Sequence, residues 1–392
     1  MPDPRLTEVE AAEVAKVLRR AEWSRLGDDW AVPCVDLLEQ RWAEAHGAIH
    51  AVALSSGTAA LTLLLRALGI PEGDEVLIPA YGCPAVDVAV YAAGLTPVHV
   101  DLDPATYGMS PSAAAAAITP RTAALVPVHF GGQPVHLRTL AAVAERQGIA
   151  LIEDACLAPG AAYDDRPVGS WGRAAVFSLG VGKPISAGEG GLITTSDAHL
   201  AESLRRMRSF GADPDTGEIF VPTGNFRLTA LQAAVALPQL ARLEADRQRR
   251  EATAQLWRDA LTGSPVLQPL NHDPRVRHAW AQFWMRYDEQ AGGMTRDRFV
   301  EKAQAEGLPL FAGWPRTNPT LGMYARPQAT AWLQARGSGR EPDHYEQGRF
   351  PHAEHAAYNE AVLLDFAALN GSQEAAHDIA QTFKRLGQNL PT

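Results

Sequence analysis

AVALSSGTAALTLLLRALGI, residues 51–70, sets the fold class. A short apolar run leads into Ser-Ser-Gly-Thr, and an Ala/Leu-rich helix follows at once. A buried strand that enters a helix through a small-residue turn is the repeating unit of an α/β sheet. The unit recurs downstream. DEVLIPAYGCPAVDVAVYAAG (74–94) again reads strand, turn, helix, and TPVHVDLD (96–103) reads strand. TAALVPVHFGG (122–132) is a strand ending in glycines, followed by the helix LRTLAAVAERQG (137–148). IALIEDACLAPGA (149–161) is a strand closing on two carboxylates, and AAVFSLG and GGLITTSD are two more strands. Continuous apolar strands alternating with helices predict a mostly parallel sheet buried on both faces. In such sheets ligands sit beyond the carboxyl ends of the strands. Ser-Ser-Gly-Thr, Tyr-Gly-Cys-Pro, His-Phe-Gly-Gly and Glu-Asp all fall at those ends.

Outside this core, residues 5–20 have helical periodicity with Thr7 at the N-cap position, and 36–47 form a second amphipathic helix ending at Gly47. From Asn225 to Leu261 the chain reads as long helix interrupted near Pro238. Beyond it, HAWAQFWMRY (278–287) reads as a strand, TRDRFVEKAQAEG (295–307) as a helix capped by Thr295, and SQEAAHDIAQTFKRLG (372–387) as a closing helix. Residues 313–349 are rich in Gly, Pro and Arg without a period, and are expected to be a long loop facing substrate. The expected division is a large domain over 1–245 and a smaller α+β domain over 246–392.

The 392 residues suffice for two domains, with 46% apolar and 20% charged residues. A formal net charge of −10 argues against a nucleic-acid or membrane-surface partner. No apolar run reaches the length of a membrane span, and MPDPRLTEVE has no export-signal pattern. Cys34, Cys83 and Cys156 are odd in number and widely spaced, so neither a disulfide framework nor a zinc site is expected, and the cytoplasm is the expected setting.

Chemistry concentrates in FSLGVGKPISAGEGG (177–191), where five glycines surround one lysine, Lys183. Glycine lets backbone approach a ligand closely, and a partly desolvated lysine becomes a nucleophile. Together they suggest a lysine bonded to something flat and phosphorylated; a glycine-rich loop with a solvated lysine is the plainer reading. Ser56-Gly57-Thr58 opens a helix whose N–H groups suit a phosphate, or is simply a capped turn. Ser178, five residues before Lys183, is within reach of the same phosphate as Thr58. Asp154 ends a strand as a hydrogen-bonded acid, or as the partner of a protonated pyridine nitrogen that keeps the ring an electron sink.

Taken in order, SSGTAAL, GDEVLIPAY, IEDACLAPGAAY, FSLGVGK, AGEGG and TGNFRLTALQAAV resemble the DegT/DnrJ/EryC1/StrS sugar aminotransferases. These are fold-type-I enzymes that use pyridoxal 5'-phosphate (PLP). The resemblance runs from about residue 20 to 245 and more weakly onward through RFPHAEHAAYNEAVLL. It implies a mostly parallel seven-stranded sheet flanked by helices. It also implies that Lys183 carries PLP, that Asp154 pairs with the pyridine nitrogen, and that Ser56, Gly57, Thr58 and Ser178 hold the phosphate. Asn225 would reach the phosphate of a neighbouring subunit, giving a homodimer with shared sites. His129 would lie near the sugar or cofactor side, a satisfied strand-end histidine being the plainer reading. Trp314, in the 313–349 loop, is a further substrate-side candidate.

Two positions depart from the family pattern. Leu157 stands where relatives carry Gln or His against the cofactor's phenolic oxygen, and Cys83 where many place an aromatic over the ring. Tyr81 is an alternative source of stacking.

The implied activity moves an amino group from glutamate or glutamine to a keto group on a nucleotide-sugar or cyclitol, in antibiotic, other secondary-metabolite or glycan biosynthesis. Two alternatives stand beside it. AEWSRLGDDW (21–30) and RWAEAHG (41–47) also resemble 3-amino-5-hydroxybenzoate synthase, a dehydratase and aromatase. A non-catalytic regulator on the same fold is the other, and a reactive lysine argues against it.

Overall fold

The structure is a computed structural model that describes residues 6–20, 33–213, 216–271, 273–325, 344 and 346–388. The strands in chain order are β1 His50–Leu54, β2 Glu75–Pro79, β3 Thr96–Val100, β4 Thr122–Leu125, β5 Ala150–Asp154, β6 Ala162–Tyr163 and β7 Arg166–Pro167. They continue with β8 Ala174–Ser178, β9 Gly191–Thr195, β10 Leu267–Pro269, β11 Val276–Arg277, β12 Phe283–Tyr287, β13 Leu310–Ala312 and β14 Ala361–Leu364. The first nine helices are α1 Glu8–Arg20, α2 Pro33–Ala45, α3 Gly57–Ala67, α4 Ala85–Ala92, α5 Pro111–Ala117, α6 Leu137–Gln147, α7 Ala198–Met207, α8 Ala230–Ala241 and α9 Leu243–Ala260.

Seven strands form one sheet in the order β1-β9-β8-β5-β4-β2-β3, as expected. The pairs β2–β3, β2–β4, β4–β5 and β5–β8 are parallel, and β9 runs antiparallel to both of its neighbours. Every residue of β2, β3 and β9 is buried, the pattern of strands covered on both faces. One face carries Leu61 and Leu64 of α3, Val86 and Val90 of α4, and Leu200 and Leu204 of α7. The other carries Leu38 and Trp42 of α2, Leu137 and Leu140 of α6, and Ala233 and Ala236 of α8.

The chain after α9 forms a four-stranded antiparallel sheet, β10-β12-β14-β13. Its core gathers Trp257 of α9, Phe283 of β12, and Phe299 and Phe383 from helices Arg296–Ala305 and Gln373–Gln388. An aromatic cluster of Tyr81, Tyr107, Phe130, Trp284 and Phe350 joins this sheet to the large one.

Several local expectations change. The strand expected at 278–287 begins only at Phe283, because Ala279, Ala281 and Gln282 spend their N–H groups on the carbonyls of Gly132 and Gly131. The second helix starts at Pro33, whose fixed φ suits a first turn. Pro238 lies inside α8, and the interruption comes at Arg242 instead. Thr295 precedes its helix without a side-chain cap; Glu289 accepts the Arg296 N–H at 3.0 Å in its place. Within 313–349, Asn318–Thr320 and Gly322–Ala325 are short helices, and 326–343 and 345 lie outside the described residues, as does 21–30. The expected boundary at 245/246 falls within the unbroken helix α9.

Candidate active site

Ser56 caps α3, its extended backbone ending β1 and its Oγ accepting from Ala59 N at 3.1 Å. The next N–H groups of the helix, from Gly57 and Thr58, have no intrahelical acceptor by helix geometry and form an anion-binding end. A Cβ at position 57 would lie 3.1 Å from Ser178 Cβ and 3.2 Å from Cys156 Sγ, so glycine keeps this end open. Gly191 has the same purpose from the other side, since a Cβ there would sit 2.4 Å from the Ser56 carbonyl oxygen. The ends of β1, β5, β8 and β9 thus converge within a few ångströms, with Ser178 Oγ accepting from Gly180 N at 3.2 Å.

Adjacent carboxylates at the end of β5 divide into two environments because side chains alternate across a strand. Glu153 is fully buried and accepts from the N–H groups of Gly169 (3.0 Å), Trp171 (2.8 Å) and Gly172 (3.1 Å). His129 Nε2 lies 3.3 Å from the same carboxylate, and His129 Nδ1 accepts from Val135 N at 3.3 Å. His129 is therefore fully buried and committed on both nitrogens to Glu153 and backbone. Asp154 points toward the α3 end, where its Oδ1 accepts from Cys156 N at 3.0 Å.

Cys156 lies in the field of both Asp154 and Lys183. Burial pushes its thiol well above the usual cysteine range, the Asp154 carboxylate adds to the rise, and the Lys183 ammonium opposes it. Lysine and aspartate therefore act on one sulfur, which itself touches the Gly57 position. Cys83 contributes to the same field from an exposed position after β2.

Lys183 is half-buried in its loop, its N–H donating to Gly180 O at 3.3 Å. Helix α8 holds that loop at two points. Gln239 exchanges two bonds with the Ser186 backbone, at 3.0 and 2.8 Å, and Gln232 Nε2 donates to Glu189 O at 2.8 Å.

The remaining expected residues are more dispersed. Tyr81 is buried with its ring 5.8 Å from Phe130 and near-parallel to it, within the aromatic cluster between the sheets. Leu157 is half-buried, and its carbonyl faces Gly132. Trp314 is 39% exposed. Asn225 lies beside the phosphate-type turn, since Ser55 N donates to Phe226 O at 2.8 Å; its side chain is exposed, and its Oδ1 accepts from its own chain's Arg227 N–H at 3.2 Å. Sequence reasoning missed Cys156, Gln232 and Gln239. Cys156 was signalled by its place two residues after Asp154, whereas no motif marks the glutamines.

The donor set fits PLP: an open helix N-terminus and a serine hydroxyl for a phosphate, a carboxylate for a cationic ring, and a half-buried lysine in the loop that follows Ser178. Among the described residues, no three His, Cys, Asp or Glu side chains are grouped to hold a metal, and no helix is long and apolar enough to cross a membrane.

A parallel sheet with this set at its carboxyl edge defines a PLP-dependent aminotransferase of fold type I. Residues 4–336 match the family model described as the DegT/DnrJ/EryC1/StrS aminotransferase family. S. venezuelae DesV, solved in complex with a ketimine intermediate, is 31% identical over 97% of this chain and 95% of its own, with a TM-score of 0.85. DesI, solved in the presence of its TDP-sugar product, is 30% identical over 97% and 90%, with a TM-score of 0.81. 3-Amino-5-hydroxybenzoic acid synthase is 28% identical over 98% and 97%, with a TM-score of 0.85. The chain belongs to the DegT/DnrJ/EryC1/StrS aminotransferase family.

Proposed function

We propose that this enzyme takes an amino group from glutamate or glutamine and delivers it to a keto group on a nucleotide-linked sugar or a cyclitol. The observation that supports it is the convergence at the α3 end: a Cβ at position 57 would lie 3.1 Å from Ser178 Cβ and 3.2 Å from Cys156 Sγ, and Asp154 Oδ1 accepts from Cys156 N at 3.0 Å. When bound, PLP supplies an electron sink for the pair released at the substrate carbon. Lys183 would hold it covalently, Asp154 would keep its ring nitrogen protonated, and Gly57, Thr58 and Ser178 would hold its phosphate. Lys183 Nζ would serve as the base that takes the proton from the substrate carbon and as the acid that gives it back. The α3 end fixes the anion and so fixes the distance over which Lys183 works. Asn225, exposed beside the turn, would complete the phosphate site of a second copy. DesI's TDP-sugar product supports a nucleotide-linked acceptor.

The second reading is a dehydratase, favoured by the match to 3-amino-5-hydroxybenzoic acid synthase at the same TM-score as DesV. One experiment separates the two. The PLP-loaded enzyme is mixed with L-glutamate or, separately, L-glutamine and its absorption followed, while borohydride and peptide mass spectrometry on a separate aliquot locate the cofactor. The proposal expects the label on Lys183 and stoichiometric conversion to the pyridoxamine form. A label on Lys183 without conversion by glutamate or glutamine overturns transamination from those donors; a label elsewhere overturns the site.

A further inference from the structure

Asp87 is a carboxylate on α4 with no place in the site described above, yet its side chain is fully buried. A buried charge is costly unless several hydrogen bonds compensate it. Asp87 takes three. His99 Nε2 on β3 lies 2.7 Å from its Oδ1, Tyr324 OH donates to the same oxygen at 2.7 Å, and Asn318 Nδ2 donates to Oδ2 at 2.6 Å. His99 belongs to the large sheet, but Asn318 and Tyr324 arrive from more than 230 residues away. They lie on the segment 313–325, which leaves β13 and crosses the end of β2.

The same segment is tied down twice more. Asn318 N donates to Ala80 O at 2.8 Å, directly before Tyr81. Gly313 N donates to Ala361 O at 2.8 Å, and a Cβ on Gly313 would lie 2.2 Å from the Tyr81 hydroxyl. Trp314 follows immediately, its side chain exposed and its backbone beside the Tyr81 hydroxyl. Apolar packing alone would hold the segment to the sheet without fixing its register. Two directional bonds from the segment to one carboxylate, with the Asn318 N–H on the Ala80 carbonyl, set that register.

We propose that Asp87 is a positioning residue: by accepting from Asn318 and Tyr324 it pins segment 313–325 over the β2 turn and sets Trp314 at the acceptor side of the active site. The acceptor assignment rests on the aminotransferase reading; the pinning does not. Asparagine at 87 keeps the shape but removes the charge and leaves one acceptor oxygen where the carboxylate had two. Exchanging the partners, Asp87→Asn with Asn318→Asp, restores a carboxylate–amide pair across the same gap.

The test uses full-length, PLP-loaded protein. Amide hydrogen exchange is measured over 313–325 and over β2, β3 and β5, in wild type, Asp87→Asn, Asn318→Leu and the exchanged double variant. Asp87→Asn and Asn318→Leu should speed exchange in 313–325 by about tenfold, the loss expected for a bond to a charged group, with the strands unchanged. The double variant should recover most of that protection. In half-reactions, conversion of the PLP form by L-glutamate should stay within about twofold. The KM of the pyridoxamine form for a thymidine-diphosphate-linked keto sugar should rise by about tenfold. Unchanged exchange in 313–325 for both single variants overturns the pinning. Equal losses in both half-reactions overturn the positioning role and leave a general structural one. If the loop loosens as expected but wild type does not aminate the keto sugar, the acceptor class falls and the pinning stands. Should Asp87→Asn fail to fold, Asn318→Leu carries the same readouts.

Discussion

His46 makes a quantitative prediction about acid stability. Its ring is fully buried between α2 and the sheet, 4.9 Å from the Trp42 ring and 4.5 Å from Phe177. Nδ1 lies 2.9 Å from the Trp42 carbonyl, which can only accept, so Nδ1 carries the hydrogen. Nε2 accepts from Gly160 N at 3.4 Å, so it carries none. The neutral tautomer satisfies both contacts, whereas a second proton would face an N–H donor in an apolar surrounding. Burial accordingly lowers the folded pKa to about 4, with the Trp42 carbonyl and the Glu153 charge opposing it. The unfolded chain keeps the ordinary histidine value of about 6.5 and binds the proton first as pH falls. Stability is therefore intact above about pH 7 and drains away as pH falls toward the folded pKa, at up to about 1.4 kcal/mol per pH unit. Two and a half units amount to about 3 kcal/mol in all, about 2 of them between pH 7 and 5. Urea unfolding at saturating PLP, followed by tryptophan fluorescence at pH 7, 6 and 5, measures it. His46→Gln starts lower at pH 7 because the ring stacking is gone, and titrating carboxylates act on both proteins alike. Wild type should then lose about 2 kcal/mol more than the variant between pH 7 and 5. Parallel stability curves would refute the neutral-tautomer reasoning, because they require His46 to bind its proton equally in both states.

The remaining predictions concern the site. Asp154→Asn should keep the fold but lower turnover at least about 10²-fold, since the ring nitrogen loses the partner that keeps it protonated; near-normal turnover would reduce Asp154 to a cap for Cys156 N–H. Asn225→Ala should weaken PLP retention, and mixed with Lys183→Ala chains it should regain activity in hybrid dimers that contain one complete site. The two-fold interface should exceed roughly 2,000 Å². Hybrids that form, shown by subunit exchange, and remain as inactive as their parents would exclude a shared site.

The large sheet was legible because its strands are buried on both faces and therefore nearly uniformly apolar, so composition alone separates them from the helices. The small sheet was less so. Residues 278–282 are as apolar and aromatic as a strand, but their N–H groups pair with Gly131 and Gly132 across the molecule, and local pattern carries no trace of that. The cofactor-type residues stood out because lysine, glycine and acid at strand ends are costly choices that function explains. His129 lies at such an end too, yet its buried pairing with Glu153 depends on the strand's alternation, which places Glu153 and Asp154 on opposite sides. A sequence motif names neighbours along the chain; it does not say which face each one takes. Asp87 shows the same limit, for its partners Asn318 and Tyr324 are brought to it only by the packing of 313–325 on the large sheet.

Five glycines around one lysine leave a loop that is costly to order, and the ordering comes from α8. Thr229 and Gln232 cap one another at the start of that helix, with Thr229 N to Gln232 Oε1 at 3.0 Å and Gln232 N to Thr229 Oγ1 at 3.3 Å. The amide nitrogen left over on Gln232 donates to the Glu189 carbonyl, so the group that starts the helix also fixes the glycine loop. Two turns later Gln239, 2% exposed, closes both bonds to Ser186. The segment entering α8 is the one that carries Asn225 and pairs with Ser55 beside the helix end that suits a phosphate. One short stretch, 225–239, therefore touches the phosphate-type turn, caps its own helix and braces the lysine loop. If Asn225 also serves a second copy, docking of that copy loads the same stretch, and the position of Lys183 becomes coupled to assembly through Gln232 and Gln239.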